Sequence, residues 1–384
     1  MQPRELVVGT RPSPLALSQA RWVVEQLQAA ARRHGLPLRF ALREIRTEGD
    51  LDRETPLARF GQRGVFVRAV EQALRDGLAD VAVHSLKDLP GQQPPDLVLA
   101  AYPVREDARD VAVVAQAPGA RPVPADSNEL VASSADRDSA RADQGFSGPW
   151  PLCVLPQGAR IGTGSPRRIA YLSHWRPDLT FVPIRGNVDT RLRKLREEGL
   201  DAVVLAAAGL RRLELWDDRM QPLPPEVCLP APGQGALAVQ VRADDEAALR
   251  AVSLIDTLEV RLAAIAEREL LARLGGGCHV PIGALARWHG DGGERHLRLL
   301  AGVADPGGRR FLKVEHALSA AALFSGTPPL GEVGAAGTER GAEAGPPLTP
   351  AALTAAEEAA KALAREAARD LIAQGASQLL EVPD

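Results

Sequence analysis

Residues 159–175 read ARIGTGSPRRIAYLSHW, and this stretch decides the fold. An apolar strand over 159–162 leads into a glycine-containing loop, and Ser165 with Pro166 then favours a helix that ends near Trp175. The chain opens in a similar way: a strand over 5–8 is broken by Gly9-Thr10-Arg11, Pro12 and Ser13 suit a helix start, and apolar residues up to Leu27 follow with a 3.6-residue period. Alternating strands and helices of this kind predict α/β domains with helices packed on sheets.

Composition bounds the class of protein. The chain has 384 residues, 45% of them hydrophobic and 25% charged, which is typical of a soluble protein of two or three domains. Its net charge of −3 gives no overall basic field, so we expect neither nucleic acid nor a membrane as partner. The N-terminal stretch MQPRELVVGTRP has no apolar signal core, and we expect a cytoplasmic protein.

Arginine residues follow the ends of several predicted strands. The segment 157–212 holds ten Arg, one Lys and five acidic residues, a local charge of +6. Ligands of open α/β sheets bind beyond the carboxyl ends of the strands, and guanidinium groups there recognise carboxylate or phosphate. The pattern predicts a polyanion site, for which a polycarboxylate is favoured because no GxxxxGK[ST] phosphate loop is present; the residues are Arg11, Arg167, Arg168, Arg185, Arg191, Arg211 and Arg212.

One acid stands in the loop HSLKDLP, residues 84–90, after a short buried strand. Asp88 follows Lys87, one of only four lysines in the chain. A carboxylate beside cations remains an anion and can stabilise positive charge or exchange a proton. A local turn or cap is the alternative role of this Asp.

Three glycines precede Cys278 in LGGGCHVPIG, residues 274–283. Such a loop leaves the sulfur accessible for a covalent bond. A buried structural cysteine is the alternative. The three cysteines, Cys153, Cys228 and Cys278, form no pair or cluster with metal-site spacing, so we expect no metal.

These segments, in this order, resemble the porphobilinogen deaminases, also called hydroxymethylbilane synthases. Eight motifs carry the resemblance: VGTRPSPLA (8–16), TEGD (47–50), ADVAVHSLKDLP (79–90), GSPRR (164–168), RGNVDTRL (185–192), AAGL (207–210), PAPGQGA (230–236) and GGCHVPIG (276–283).

The resemblance implies a three-domain architecture. Two periplasmic-binding-protein-like (type II) α/β lobes with mixed sheets surround a cleft, and a smaller α+β domain completes the chain. The expected bounds are 1–104 with 235–254 for domain 1, 105–234 for domain 2 and 255–384 for domain 3. Two segments rich in Pro, Gly and Ala, about 115–156 and 325–350, are expected to be surface insertions.

The resemblance also implies the chemistry. A dipyrromethane cofactor would be bound by thioether to Cys278, and four porphobilinogen molecules would condense on it head to tail with loss of ammonia. Water would then release linear hydroxymethylbilane. Asp88 would be the catalytic carboxylate, stabilising positive charge at pyrrole nitrogens and moving protons. We expect a monomer.

The resemblance assigns further roles residue by residue. Besides Cys278, the cofactor would be held by Ser13, Lys87, Asp88, Ser165, Arg167, Arg168, Arg185, Asn187 and Arg191. The substrate would contact Arg11, Phe66, Arg168, Arg191, Arg212 and Gln234. The polar stretch 47–64 would form a lid that includes Asp50, Arg59 and Arg63. The rival hypothesis is a non-enzymatic two-lobed protein that binds polycarboxylates.

Overall fold

The computed structural model describes residues 3–46, 65–115, 150–275, 280–291, 294–324 and 349–380. Within these ranges the strands are Arg4–Thr10 (β1), Leu38–Glu44 (β2), Val81–Ser85 (β3), Leu97–Ala101 (β4), Asp110–Val114 (β5), Arg160–Gly162 (β6), Thr180–Val182 (β7), Ala202–Ala206 (β8), Met220–Pro222 (β9), Leu237–Arg242 (β10), Ile282–His289 (β11), His296–Ala304 (β12) and Phe311–Ser319 (β13). The helices are Pro14–Arg33 (α1), Val65–Arg75 (α2), Pro166–Trp175 (α3), Val188–Glu197 (α4), Ala207–Arg212 (α5), Glu246–Ser253 (α6), Leu258–Arg273 (α7), Ala320–Leu323 (α8), Pro350–Ala373 (α9) and Ala376–Leu380 (α10). No helix in these ranges is both long enough and apolar enough to cross a membrane.

The first sheet has the strand order β2-β1-β3-β10-β4. Strands β2, β1 and β3 run parallel, whereas β10 is antiparallel to both of its neighbours. The chain therefore leaves this sheet after β4, builds a second sheet, and returns to insert β10 between β3 and β4. Residues 230–236 lead from the second sheet into β10. We call this segment the crossover because it connects the two sheets.

The second sheet has the order β7-β6-β8-β5-β9, with β7, β6 and β8 parallel and β5 antiparallel to its neighbours. A third, antiparallel sheet of β11, β12 and β13 packs against α7 and α9. The predicted fold class is confirmed: two α/β lobes with mixed sheets and a smaller α+β unit. The residue bounds of the three domains stay a prediction.

Two helices begin next to the serines that the sequence indicated, Ser13 and Ser165. The Ser13 hydroxyl accepts a hydrogen bond from the backbone N–H of Ala16 at 3.3 Å, which caps α1. The Ser165 hydroxyl accepts from the N–H of Arg168 at 3.5 Å, which caps α3. Each cap satisfies an N–H group that the first helical turn leaves without a partner inside the helix.

The expected insertion at 115–156 is wrong for its last residues. Trp150 is buried and Leu152 is fully buried in the apolar core of the second lobe. The Arg176 guanidinium also donates from Nη1 to the carbonyl of Leu152 at 2.7 Å. Burial of these two large side chains stabilises the segment against the lobe, so residues 150–156 are part of the fold.

The fully buried carboxylate of Glu267 fixes the crossover against the third sheet. It accepts hydrogen bonds from Arg105 Nη1, from the backbone N–H of Gly233 and from that of Ala286, each at 2.6 Å. Helix α7, the crossover and strand β11 are thereby held by one side chain.

The substitution Glu267→Gln keeps the shape of this side chain and removes its charge. We expect the thermal midpoint to fall by about 5 °C or more, because loss of one partner of a buried ion pair costs about 3–5 kcal/mol. Differential scanning calorimetry measures the shift. The matched control is Glu269→Gln on the same helix, whose i,i+4 pair with the half-exposed Arg273 is of the weakly stabilising kind. Equal midpoints for the two variants would contradict the role given to Glu267.

Candidate active site

The predicted catalytic acid lies in a tight turn at the end of a buried strand. After β3 the chain forms one 3₁₀ turn over Leu86–Asp88. Leu86 and Leu89 are buried on either side, while Lys87 is half-buried and Asp88 is exposed. At Gly233 of the crossover, φ is +76° and an added Cβ would lie 2.7 Å from Leu86 Cγ, so only glycine fits against this turn.

A second acid, Asp110, lies fully buried at the start of β5 in the other lobe. Its Oδ2 lies 2.7 Å from Arg167 Nη1, and its Oδ1 lies 2.8 Å from Arg168 Nη2. Burial by itself raises the pKa of Asp110, but both guanidinium groups and the Gln234 amide reverse that effect and hold the pKa well below its usual range. The carboxyl group is therefore ionised and neutralises part of the arginine charge.

The side chain of Gln234 connects the two lobes. Its Nε2 donates to Asp110 Oδ1 at 3.0 Å and to the carbonyl of Ala108 at 2.7 Å. Its Oε1 accepts from Lys87 Nζ at 3.3 Å. A continuous chain of polar contacts thus runs from the residue beside Asp88, through the crossover, to the arginine pair of the second lobe.

Lys87 has an unusual acidity for a lysine. Burial lowers its pKa to about 8, although the charges of Asp88 and Asp110 oppose that shift; Arg168 and Arg167 add to it. All four of these charged groups interact with the Lys87 ammonium group. They therefore lie near it and belong to one site. At neutral pH the group is mainly protonated and available to an anion.

Arg191 joins the same site from helix α4. Its Nε donates to the carbonyl of Gly186 at 2.9 Å. Burial lowers its pKa, repulsion by Arg168 and Arg185 adds to the shift, and attraction to Asp88 opposes it. The structure therefore groups half of the predicted ligand-binding residues near the carboxylate of Asp110: Lys87, Asp88, Arg167, Arg168, Arg185, Arg191 and Gln234.

Other predicted residues lie at the edges of this group. Arg212 donates from Nη2 to the carbonyl of Gly235 at 2.7 Å, so its guanidinium group is held on the crossover. Asn187 is exposed at the N-cap of α4, with no side-chain capping bond. Arg11 is half-buried after β1, two residues before the Ser13 cap.

Several predicted residues fall outside the part of the chain that the structure describes. They are Cys278 and the residues assigned to a lid, Asp50, Arg59 and Arg63. Phe66 lies in α2, but its side chain is likewise outside the described part. Their roles stay predictions.

Sequence analysis missed Asp110 and its neighbour Cys228. The Cys228 thiol donates to Asp110 Oδ2 at 3.3 Å, and burial raises the pKa of the thiol to about 12. The only local signal at Asp110 is a charged residue opening the apolar run DVAVV. Among the described residues, no three His, Cys, Asp or Glu side chains are grouped so that they could hold a metal ion.

Two α/β lobes joined by a crossover beside buried arginine residues define a bilobal α/β protein with a cationic site. Two family models match the chain and refine that class. One is described as "Porphobilinogen deaminase, dipyromethane cofactor binding domain" and matches residues 6–250. The other is "Porphobilinogen deaminase, C-terminal domain" and matches residues 261–322. The chain belongs to the porphobilinogen deaminase family, whose members are transferases.

Relatives of the chain carry the same family name. The chain is 47% identical over 300 residues to a porphobilinogen deaminase of Roseiflexus sp. (strain RS-1), covering 78% of this chain and 86% of that one. It is 42% identical over 295 residues to one of Paenibacillus macerans, covering 77% and 81%. A solved arginine-specific periplasmic binding protein of Salmonella typhimurium is 14% identical with a TM-score of 0.32, over 66% of this chain and 91% of that one, a likeness too small to support any argument.

Acylation of Lys87 tests the electrostatics of the site. Only the neutral amine reacts, so for the variant Cys278→Ser, which we expect to carry no cofactor carboxylates, labelling at Lys87 should reach half its maximal rate near pH 8, the pKa that burial imposes. Mass spectrometry of peptides resolves this site because the chain has only four lysines. Labelling at Lys361 in the same digests controls for reagent stability. A rate at Lys87 that still climbs beyond about pH 10, as for an ordinary lysine, would contradict the account.

Proposed function

We propose that this chain is a hydroxymethylbilane synthase that joins four porphobilinogen molecules head to tail with loss of ammonia. Water then releases the linear tetrapyrrole hydroxymethylbilane. One observation carries the proposal beyond family membership. The contact chain Lys87–Gln234–Asp110 links the Asp88 turn of one lobe to the Arg167–Arg168 pair of the other. A growing polycarboxylate that touches both lobes would meet cations and a catalytic carboxylate in one place.

Cations of the site suit the substrate. Each pyrrole ring carries an acetate and a propionate group, so every added ring brings two carboxylates. Arg168 and Arg191 offer guanidinium forks that bind carboxylates in two-point contacts, and Lys87 offers an ammonium group. Helices α1 and α3 add their N-terminal ends, where the backbone dipole favours anions.

The donor set also fits a dipyrromethane cofactor, which carries four carboxylates. We propose that Lys87, Arg167, Arg168, Arg185 and Arg191, with Ser13, Ser165 and Asn187, hold these groups, and that Cys278 forms the thioether. When bound, the cofactor supplies the free pyrrole carbon to which the first substrate is joined.

The described neighbours of Cys278 support that attachment. Helix α7 ends at Arg273, and its Ala272 lies against Gly91, where an added Cβ would be 3.4 Å from Ala272 Cα. Arg268 of the same helix donates to the carbonyls of Pro90 and Gly91 at 2.8 and 2.9 Å. The segment that follows Asp88 therefore contacts the last turn of the helix that precedes the Cys278 loop in the chain.

Asp88 is proposed to act on the reacting substrate. Departure of ammonia leaves positive charge on the pyrrole, and the exposed Asp88 carboxylate stabilises that charge at the ring nitrogen. The same carboxylate accepts and returns a proton as the new carbon–carbon bond forms.

We further propose that the protein acts in the cytoplasm as a monomer. The expected domain bounds stay part of this proposal: 1–104 with 235–254, 105–234, and 255–384. The strand order supports them, because the chain leaves the first sheet after β4 and rejoins it at β10.

The mass of the denatured protein tests the attachment site. We expect the purified protein to exceed its polypeptide mass by one dipyrromethane, and Cys278→Ser to show no excess because the thioether cannot form. Cys153→Ser, which removes an exposed thiol elsewhere, is the matched control and keeps the excess. An excess that persists in Cys278→Ser, or disappears in Cys153→Ser, would contradict the assignment.

The substitution Asp88→Asn tests the catalytic carboxylate. We expect the turnover of porphobilinogen to fall about 10²–10³-fold, because an electrostatic group that acts on developing charge has been neutralised, with little change in KM. Release of ammonia and formation of hydroxymethylbilane measure the rate. Asp76→Asn, at an exposed acid beyond the end of α2, is the control and should keep its turnover. Wild-type rates in Asp88→Asn would exclude the role.

A further inference from the structure

We propose that Asp110 is a positioning residue for this reaction: one buried carboxylate sets the orientation of Arg168 toward substrate carboxylates and, through Gln234, the location of Lys87. The proposal rests on the proposed function and deepens it by assigning different roles to the polar side chains of the site. Arg168 and Lys87 meet the substrate. Gln234 serves with Asp110 to hold them, and so does Arg167 in addition to its proposed contact with the cofactor carboxylates.

The geometry of Arg168 carries the first step. Its Nε and Nη2 both contact Asp110 Oδ1, at 3.0 and 2.8 Å, and its Nη1 donates to the carbonyl of Val204 at 2.7 Å. A guanidinium group is planar and has five N–H groups. Contacts with described residues use three of them and fix the plane, so the remaining two point in a defined direction.

Arg167 makes a different set of contacts. Its Nη1 donates to the carbonyl of Leu229 at 2.5 Å and to Cys228 Sγ at 3.6 Å, besides its ion pair with Asp110 Oδ2 at 2.7 Å. Leu229 and Cys228 directly precede the crossover. Arg167 therefore connects helix α3 to the residues that directly precede the crossover. Its role is to hold these two segments together.

Gln234 has no side-chain donor to spare for a substrate. Its two amide N–H groups go to Ala108 and Asp110, and its oxygen accepts from Lys87. An apolar or misplaced side chain here would separate Lys87 from the second lobe. The sequence-based assignment of Gln234 to substrate contact is thus replaced by a role in positioning.

The charges of the buried arginine residues explain why the carboxylate of Asp110 is needed beside them. Arg167 and Arg168 are adjacent in sequence and both are 5% exposed, so without Asp110 two buried like charges would repel each other. With Asp110 the three groups carry one net positive charge, which still attracts an anion. The Coulomb attraction of Asp110 also supports the charged form of Lys87, against burial and against Arg167 and Arg168.

The test compares Asp110→Asn with Asp178→Asn. Asp178 forms an ion pair with the half-buried Arg176 at 2.7 Å, beyond the end of α3 that is opposite to Arg167 and Arg168, so it matches the chemistry of the change outside the site. For Asp110→Asn we expect the KM for porphobilinogen to rise about tenfold or more with kcat within about threefold, the loss expected for an ionised hydrogen-bonding partner. Asp178→Asn should keep both constants. An unchanged KM in Asp110→Asn would overturn the proposal.

A second readout does not need turnover. Removing the Asp110 charge withdraws an attraction that supports the Lys87 ammonium, so, with both proteins carrying Cys278→Ser to keep the cofactor out, Asp110→Asn should move the midpoint of Lys87 acylation below the value near pH 8. An unmoved midpoint overturns the proposal. If wild-type protein fails to condense porphobilinogen, the proposed function fails, and this midpoint still decides whether Asp110 organises the cations.

Folding of the variant is checked by its thermal midpoint. Should Asp110→Asn not fold, Arg168→Lys gives the same decision, because it keeps the charge and removes the fork that Asp110 orients. We then expect a KM about tenfold higher at similar kcat. A wild-type KM in Arg168→Lys would show that charge alone suffices and would overturn the proposal.

Discussion

The ion pair that Asp110 forms with Arg167 and Arg168 is the interaction on which the rest of the site depends. It joins strand β5 to helix α3, and Gln234 extends it to the Asp88 turn of the other lobe. Burying three charges is costly, and breaking such a pair costs about 3–5 kcal/mol. Rigidly held cations nevertheless suit an enzyme whose substrate carries carboxylates. Fixed charges need no reorganisation when the anionic groups bind.

The crossover is held on both sides by buried carboxylates at successive residues. Glu267 accepts the backbone N–H of Gly233, and Asp110 accepts the side-chain amide of Gln234. The first contact ties the crossover to the third unit of the protein, and the second ties it to the arginine pair. A single short segment thus contacts the Asp88 turn, the arginine pair of the second lobe and helix α7 of the third unit.

Local sequence predicted the parts of the fold that local physics determines. Ser13-Pro14 and Ser165-Pro166 mark helix starts because capping needs only residues within one turn. The insertion of β10 between β3 and β4 was not predicted from the residues, because strand partners are set by packing over long sequence distances. The burial of Trp150 was not predicted, because this residue lies in a Pro- and Ala-rich stretch. A large aromatic side chain in such a stretch is nevertheless a signal of burial.

The site shows the same division. Asp88 and the arginine residues could be predicted as site residues because loops after strands and repeated cations have recognisable patterns, and their roles stay predictions. Asp110 could not, since its partners lie 57 and 58 residues further along the chain and nothing near it in sequence indicates them.

The central claim is that cations shared by both lobes hold a growing polycarboxylate beside Asp88. The most direct measurement is a rapidly quenched mass spectrum of the enzyme with limiting porphobilinogen. The account predicts covalent species that increase stepwise by single pyrrole units up to four, and a spectrum without added units would contradict it.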